Sequence, residues 1–357
     1  MWWAWACGPA VEEAQDVANA AALVETLSAP GPFSVGYTVE SVTWEPSDVL
    51  GERTLRLAIW YPSEETDGET ARYFYDTIED PGVWRDASPA AGPFPWVVFS
   101  HGHQGFAEAS SFLMAHLASH GFVVAAPDHT GNTALDGSAR TTELYWERPL
   151  DLSTVIDHLS ALPADHLLSG EVGGLVAALG HSFGGYTVFA LGGAPYTPAA
   201  LDSCLAGGGG DICSTYDAED DVIFRSGLGD GRVPAVLAMA PGDYPLVGAG
   251  VSEIGGPVVL MTGGYDVGVV GADWWTGLAR TDNRWVDIVR GGHHVFDDFS
   301  VVLDPAEPAP IPAADGFGIV NAYVLSWLKA LLGDDSVSGV VDGTDPIDPH
   351  EVVVTLP

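Results

Sequence analysis

The stretch LVAALGHSFGGYTVF, residues 175–189, sets one serine among three glycines between two apolar runs. Leu175 to Leu179 reads as a buried strand, and Tyr186 to Leu191 as the opening of an apolar helix. Ser182 therefore stands at a strand-to-helix corner. A corner that sharp forces strained dihedrals on its central residue. A side chain two positions before or after it would collide with neighbouring backbone, which demands glycine at Gly180 and Gly184. The corner lifts the Ser182 hydroxyl above the sheet and aims the first amides of the following helix, that of Phe183 among them, at any oxyanion formed there. Ordinary glycine-rich turns also match G-x-S-x-G, so the rest of the chain must supply partners.

The segments FSVGYTVESVTW and RTLRLAIWYP alternate apolar and polar residues, predicting an antiparallel pair at a sheet edge. After an irregular acidic section, PFPWVVFSHGHQG is a buried strand ending in polar and glycine residues. Helices and apolar strands then alternate: a helix over 107–120, FVVAAPD, a helix from about Pro149 to Leu162, GLVAALG, a helix after Ser182, then PAVLAMAP, PVVLMTGG, RWVDIVRGG and a helix near 316–332. This order predicts an α/β fold, a mostly parallel central sheet with helices on both faces. Its glycine-rich segments follow strand ends, where such sheets carry their sites. The expected organisation is a leader and N-terminal segment over 1–30, one large domain over 31–333 and an acidic tail over 334–357 without assigned chemistry. Within the domain, 192–232 is too long for a simple connection and reads as an insertion over the C-terminal rim of the sheet, with a disordered surface insertion as the alternative.

Twelve basic against 49 acidic side chains give a net charge of −37, and Lys329 is the one lysine. Such a chain repels nucleic acid and anionic membrane surfaces; the balance fits a protein kept soluble by a hydrated acidic shell in salty surroundings, the other reading being a high-GC genome that uses little lysine. No run of about 18 apolar residues marks a transmembrane segment. The start, MWWAWACGPAVEEAQ, lacks a charged n-region but resembles the tail of a lipoprotein signal, which would make Cys7 a lipidated residue if the true start lies upstream. Cys204 and Cys213 bracket a glycine-rich loop and can close a small disulfide in an oxidising compartment, two free thiols being the other reading. An extracytoplasmic location, secreted or lipid-anchored, is the expectation; the sequence leaves the oligomeric state open.

A serine hydroxyl needs a base to remove its proton, and the base needs a third group to fix its tautomer. PVVLMTGGYDVGV places Asp266 just after a buried strand, and VDIVRGGHHVFDDF places His293 and His294 after the next. Asp243 in MAPGDYP competes for the acid and His294 for the base; Asp297 and Asp298 read as solvated caps. No metal-ligand spacing such as H-E-x-x-H occurs, so no metal is expected. A second oxyanion donor is expected from FSHGHQG, where Gly102 lets the chain turn and the amide of His103 can face Ser182. His101 should pack structurally and the His103 ring line the pocket.

With these pieces in place the sequence resembles the α/β-hydrolase superfamily. More narrowly it is similar to bacterial dienelactone-hydrolase-like proteins grouped with platelet-activating-factor acetylhydrolases, and more distantly to cutinase-like polyester hydrolases. The resemblance runs over about 31–333 through GPFSVGY, RTLRLAIWYP, VVFSHGHQG, LASHGFVVAAPDH, ERPLDLSTVIDHL, GHSFGG, GGYD and GGHHVFDDF. In the acetylhydrolase pattern the base is followed by Phe at three residues, Asp at five and Phe at six, which His293 satisfies with Phe296, Asp298 and Phe299. The resemblance implies a serine esterase without a cofactor, with Ser182 as nucleophile, His293 as base, Asp266 as its orienting acid and the amides of His103 and Phe183 as the oxyanion hole. Dienelactone hydrolases proper use cysteine, so their reaction is not expected. Polyester hydrolases carry aromatic residues where this chain has His103 and Gly242, leaving Phe106, Trp274 or Trp275 to line a pocket in their place. Small or short-acyl esters are therefore the first expectation and polyesters the alternative. A fold that has lost catalysis and serves in binding is the reading of another class.

Overall fold

The computed structural model describes residues 22–45, 51–137, 139–299, 311–345, 347–348 and 350–357; Cys7 and most of the expected leader lie outside them. The strands are β1 (Ser34–Trp44), β2 (Arg53–Ser63), β3 (Thr70–Tyr73), β4 (Ile78–Arg85), β5 (Phe94–Ser100), β6 (Val123–Pro127), β7 (Val172–His181), β8 (Val236–Met239), β9 (Val258–Gly263), β10 (Arg284–Ile288) and β11 (Val352–Thr355). They form one sheet in the order β11-β10-β9-β8-β7-β5-β6-β2-β1-β4-β3. Its centre, from β6 through β10, is parallel. Antiparallel β2 and β11 flank that centre. Central strands such as Val97–Phe99 and Val236–Met239 are almost wholly buried, as sheets covered on both faces require. Strand order reverses about β5, between β6 and β7, and open sheets place ligand crevices at such a switch point.

Two expectations need correction. The β1–β2 pair is not the edge, because β4 pairs in parallel with β1 and β3 pairs with β4 beyond it. The stretch read as irregular hides this hairpin: β4 contains Pro81 and Gly82, and the turn before it runs through Phe74, Tyr75 and Asp76 at positive φ without a glycine. What holds the hairpin is Tyr73, buried against Tyr37 and Trp60. The second correction concerns Pro149. It lies inside helix α2 (Thr142–Ser160) rather than at its start, because the turn before it buries Tyr145, Trp146 and Arg148 and that packing outweighs the missing backbone bond.

Helix α1 (Ser111–Ser119) starts four residues later than expected. Further helices are α3 (Phe183–Leu191), α4 (Pro198–Leu205), α5 (Ala218–Ser226), α6 (Tyr244–Val247), α7 (Gly271–Trp275), α8 (Ala313–Leu331) and α9 (Ser338–Asp342), and residues 22–28 are helical as well. The 192–232 segment carries α4 and α5, and Cys204 is bonded to Cys213 within it. The start of α2 holds this segment: Thr142 Oγ1 donates to the Ile212 carbonyl at 2.7 Å, and Trp146 Nε1 to Asp220 at 2.8 Å.

Candidate active site

Between the end of β7 and the start of α3, Ser182 adopts φ 56° and ψ −117°, a conformation that L-residues with side chains rarely hold. Its amide donates to the Met239 carbonyl at 2.8 Å, and the Gly242 amide donates to its carbonyl at 3.2 Å, so β8 braces the corner. A Cβ on Gly180 would strike the Gly184 carbonyl, and one on Gly184 would strike the Ser100 carbonyl. Both glycines are thus demanded by close backbone approach.

Two neighbouring strands bring partners to the corner. His293 opens a turn after β10, and Asp266 lies in the turn after β9, its Oδ1 accepting from the Gly268 amide at 2.9 Å. His293 Nε2 is 2.9 Å from Ser182 Oγ, and His293 Nδ1 is 2.6 Å from Asp266 Oδ2. The Asp266 side chain is 4% exposed and that of His293 26%, so the acid is shielded while the base is reachable. His181, kept neutral because burial pushes its pKa well below the usual value, holds the His293 carbonyl through Nε2 at 2.9 Å. Of the two candidates for the base, His293 makes these contacts. Asp243 lies elsewhere: it adopts a left-handed conformation, and its carboxylate receives Arg140 at 3.1 Å and the Tyr145 hydroxyl at 3.3 Å.

The loop after β5 lies against the serine, for a Cβ on Gly102 would come within 3.3 Å of Ser182 Cβ. The His101 ring is fully buried: Nε2 accepts the His129 amide at 3.1 Å, which leaves the ring proton on Nδ1 for the Gly102 carbonyl at 2.7 Å. His103 is half-buried, and Asn132 Nδ2 donates to its Nδ1 at 2.8 Å. The Phe183 amide is the first of α3, a position whose N–H has no partner within the helix.

Several expected side chains sit otherwise. Trp274 is core, 1% exposed and packed on Phe189 and Tyr244, and half-buried Trp275 packs on Trp285. Phe106 is buried against Phe74 and Phe299. Large aromatics fill the core wherever a helix or loop packs down on the sheet, and residue type alone did not separate that from a pocket wall. Asp297 and Asp298 are not solvated caps. Asp297 is buried and accepts the Phe299 amide, while Asp298 accepts from Ser111 Oγ at 2.8 Å and burial raises its pKa to about 7.

Sequence reasoning missed a cluster away from this line: Glu40 Oε1 and Oε2 each lie 2.9 Å from a ring nitrogen, of His158 and His166 respectively. The three could hold a metal ion by proximity. However, the Leu168 amide donates to His166 Nδ1 at 3.1 Å, which puts that ring's proton on Nε2, facing Glu40 where a metal would need a bare nitrogen. The cluster is therefore read as hydrogen bonds tying β1 to the end of α2.

A chlorophyllase family model matches residues 86–202, a span that includes the β5 loop and Ser182. Platelet-activating factor acetylhydrolase of Cavia porcellus is 30% identical over 139 residues, 33% of this chain and 31% of that protein. The Bos taurus protein of the same name is 35% identical over 144 residues, 32% of this chain and 29% of its own. The matches thus span under a third of those relatives. A solved ferulic acid esterase from Streptomyces cinnamoneus superposes with TM-score 0.62 at 21% identity, covering 85% of this chain and 92% of the other. Sheet order, the strained serine corner at the switch point and the structural likeness together show the α/β-hydrolase fold.

Proposed function

We propose that this chain is a serine carboxylester hydrolase acting through an acyl-enzyme on small or short-acyl esters, its catalytic unit being 31–333 together with the tail strand β11 that pairs with β10. The observation that carries the reading is the unbroken Ser182–His293–Asp266 line on a strained, reachable corner. Ser182 Oγ attacks the ester carbonyl as His293 Nε2 takes its proton, and Asp266 holds the ring in the tautomer that can do so. The amides of His103 and Phe183 receive the oxyanion; the alcohol leaves with the proton from His293, and water activated by the same ring releases the acid. The acetylhydrolase name of the relatives supports a short acyl group. Burial of Trp274 removes one aromatic that could have clamped a polymer chain, which favours small esters over polyesters. The Cys204–Cys213 bond favours an extracytoplasmic location. Among the described residues no helix is long and apolar enough to cross a membrane.

The test is kcat/KM for p-nitrophenyl esters from acetate to palmitate, with Ser182→Ala as blank. A steep fall with chain length is expected. Absence of turnover that depends on Ser182, together with no fluorophosphonate labelling of folded protein, overturns the reading.

A further inference from the structure

Arg148 on α2 is fully buried, and among the described residues no carboxylate accepts a hydrogen bond from it. Its donors go to neutral groups on three separate segments. Nε donates to Thr187 Oγ1 in α3 at 3.1 Å, Nη1 to Asn132 Oδ1 at 2.6 Å, and Nη2 to Ser100 Oγ at 3.1 Å and to the His101 carbonyl. The guanidinium also lies 4.6 Å from the centre of the Phe183 ring. A buried charge whose bonds all go to neutral groups is costly for stability alone, so the arrangement calls for another explanation.

Resting on the esterase reading above, we infer that Arg148 is the positioning residue of the oxyanion hole, clamping the β5 loop that carries His103 to the start of α3 that carries Phe183. The clamp works through consecutive peptide planes. Arg148 holds the His101 carbonyl, and the His101 ring holds the Gly102 carbonyl at 2.7 Å. In a trans peptide the N–H points opposite the carbonyl, so fixing the Gly102 carbonyl fixes the direction of the His103 amide. Asn132 joins the two by accepting from Arg148 and donating to the His103 ring. On the other side, Thr187 and the Phe183 ring tie the same guanidinium to the helix whose first amide is the second donor. Oxyanion donors act only when preset to within a fraction of an ångström of the charge that develops.

The experiment compares wild type with Arg148→Lys, Arg148→Met and Asn132→Leu in p-nitrophenyl acetate hydrolysis, in inhibition by phenylboronic acid and in melting temperature. Lysine keeps the charge but cannot reach all these acceptors. The Arg148 variants are expected to lose about 100-fold in kcat, with KM within about threefold of wild type. The phenylboronic acid inhibition constant should rise in parallel with the loss in kcat. Asn132→Leu, which leaves Arg148 on the His101 carbonyl, is expected to lose about tenfold in kcat alone. Folded variants with kcat within threefold of wild type, or a loss confined to KM, overturn the clamp. Should neither Arg148 variant fold, Asn132→Leu decides alone by the same criterion. Wild type without turnover that depends on Ser182 overturns the esterase reading and the clamp with it, whereas an active wild type with unimpaired variants overturns the clamp only.

Discussion

Among the described residues two Ser–His–Asp lines run with the same connectivity. In one, Ser182 Oγ lies 2.9 Å from His293 Nε2 and His293 Nδ1 lies 2.6 Å from Asp266. In the other, Ser100 Oγ lies 2.9 Å from His129 Nε2 and His129 Nδ1 lies 2.8 Å from Asp151. Residue types and distances hardly differ; the surroundings do. Ser100, His129 and Asp151 are fully buried, Ser100 Oγ also takes a bond from Arg148, and Asp151 is held by Arg53 and Trp44. Ser182 stands at positive φ beside the first amides of a helix, with a base that solvent can reach. What separates a candidate nucleophile from a structural serine is therefore backbone strain, access and nearby amide donors, and the three side chains alone do not decide it.

Paired substitutions test that contrast. The largest expected effect is on the exposed serine: Ser182→Ala should lower kcat by about 10⁶-fold and abolish fluorophosphonate labelling. Ser100→Ala should keep the label and instead lose about 1–3 kcal/mol of unfolding free energy in urea titration. Labelling of Ser100 in the Ser182→Ala protein would break the comparison. Next come the acids. Asp266→Asn should lower kcat by about 10⁴-fold through the wrong histidine tautomer with little change in melting temperature. Asp151→Asn, which leaves Arg53 and His129 facing a neutral group, should cost about 3–5 kcal/mol of stability. If Asp243→Asn abolishes activity while Asp266→Asn does not, the acid has been misplaced.

Smaller effects sharpen the picture. Cys204→Ser opens a loop with a sequence separation of 9. It should cost about 2–3 kcal/mol in denaturant unfolding under oxidising conditions. The smallest effect is a pH slope. Burial, aided by Arg148 and Arg53, holds the His129 pKa well below its ordinary 6.5. Below that value the unfolded chain takes up a proton that folded His129 refuses, so its contribution to stability is present above about 6.5 and lost as pH falls. In His129→Gln the unfolding free energy should fall less steeply between pH 7 and pH 5 than in wild type; equal slopes would show that the buried His129 ring does not stay neutral.

Much of the parallel centre was legible because fully apolar strands alternate with helices, and the corner at Ser182 announced itself through glycines whose absent side chains now meet the Gly184 and Ser100 carbonyls. The order Ser182, Asp266, His293 was legible for the same reason, since each follows a strand end. The β3–β4 hairpin was not: a turn without glycine and a strand containing proline carry no local signal when tertiary contacts to Tyr73 hold them. Arg148, Asn132, His129 and Asp151 were equally hidden. They come from separate segments, and only folding shows that the guanidinium within ERPLD reaches the loop within FSHGHQG. The aromatic residues misled in the opposite direction, since Trp274 and Phe106 offered the same chemistry for a pocket wall as for the core they occupy.

Helix α8 begins beside the turn that carries His293, where Gly316 approaches Val295, and the chain's one lysine, Lys329, lies 13 residues further on, paired with Asp334. At helical rise that is about 20 Å along the axis. Lysine-directed attachment to a bead or an electrode would therefore engage one side chain, well along α8 from the turn that carries His293.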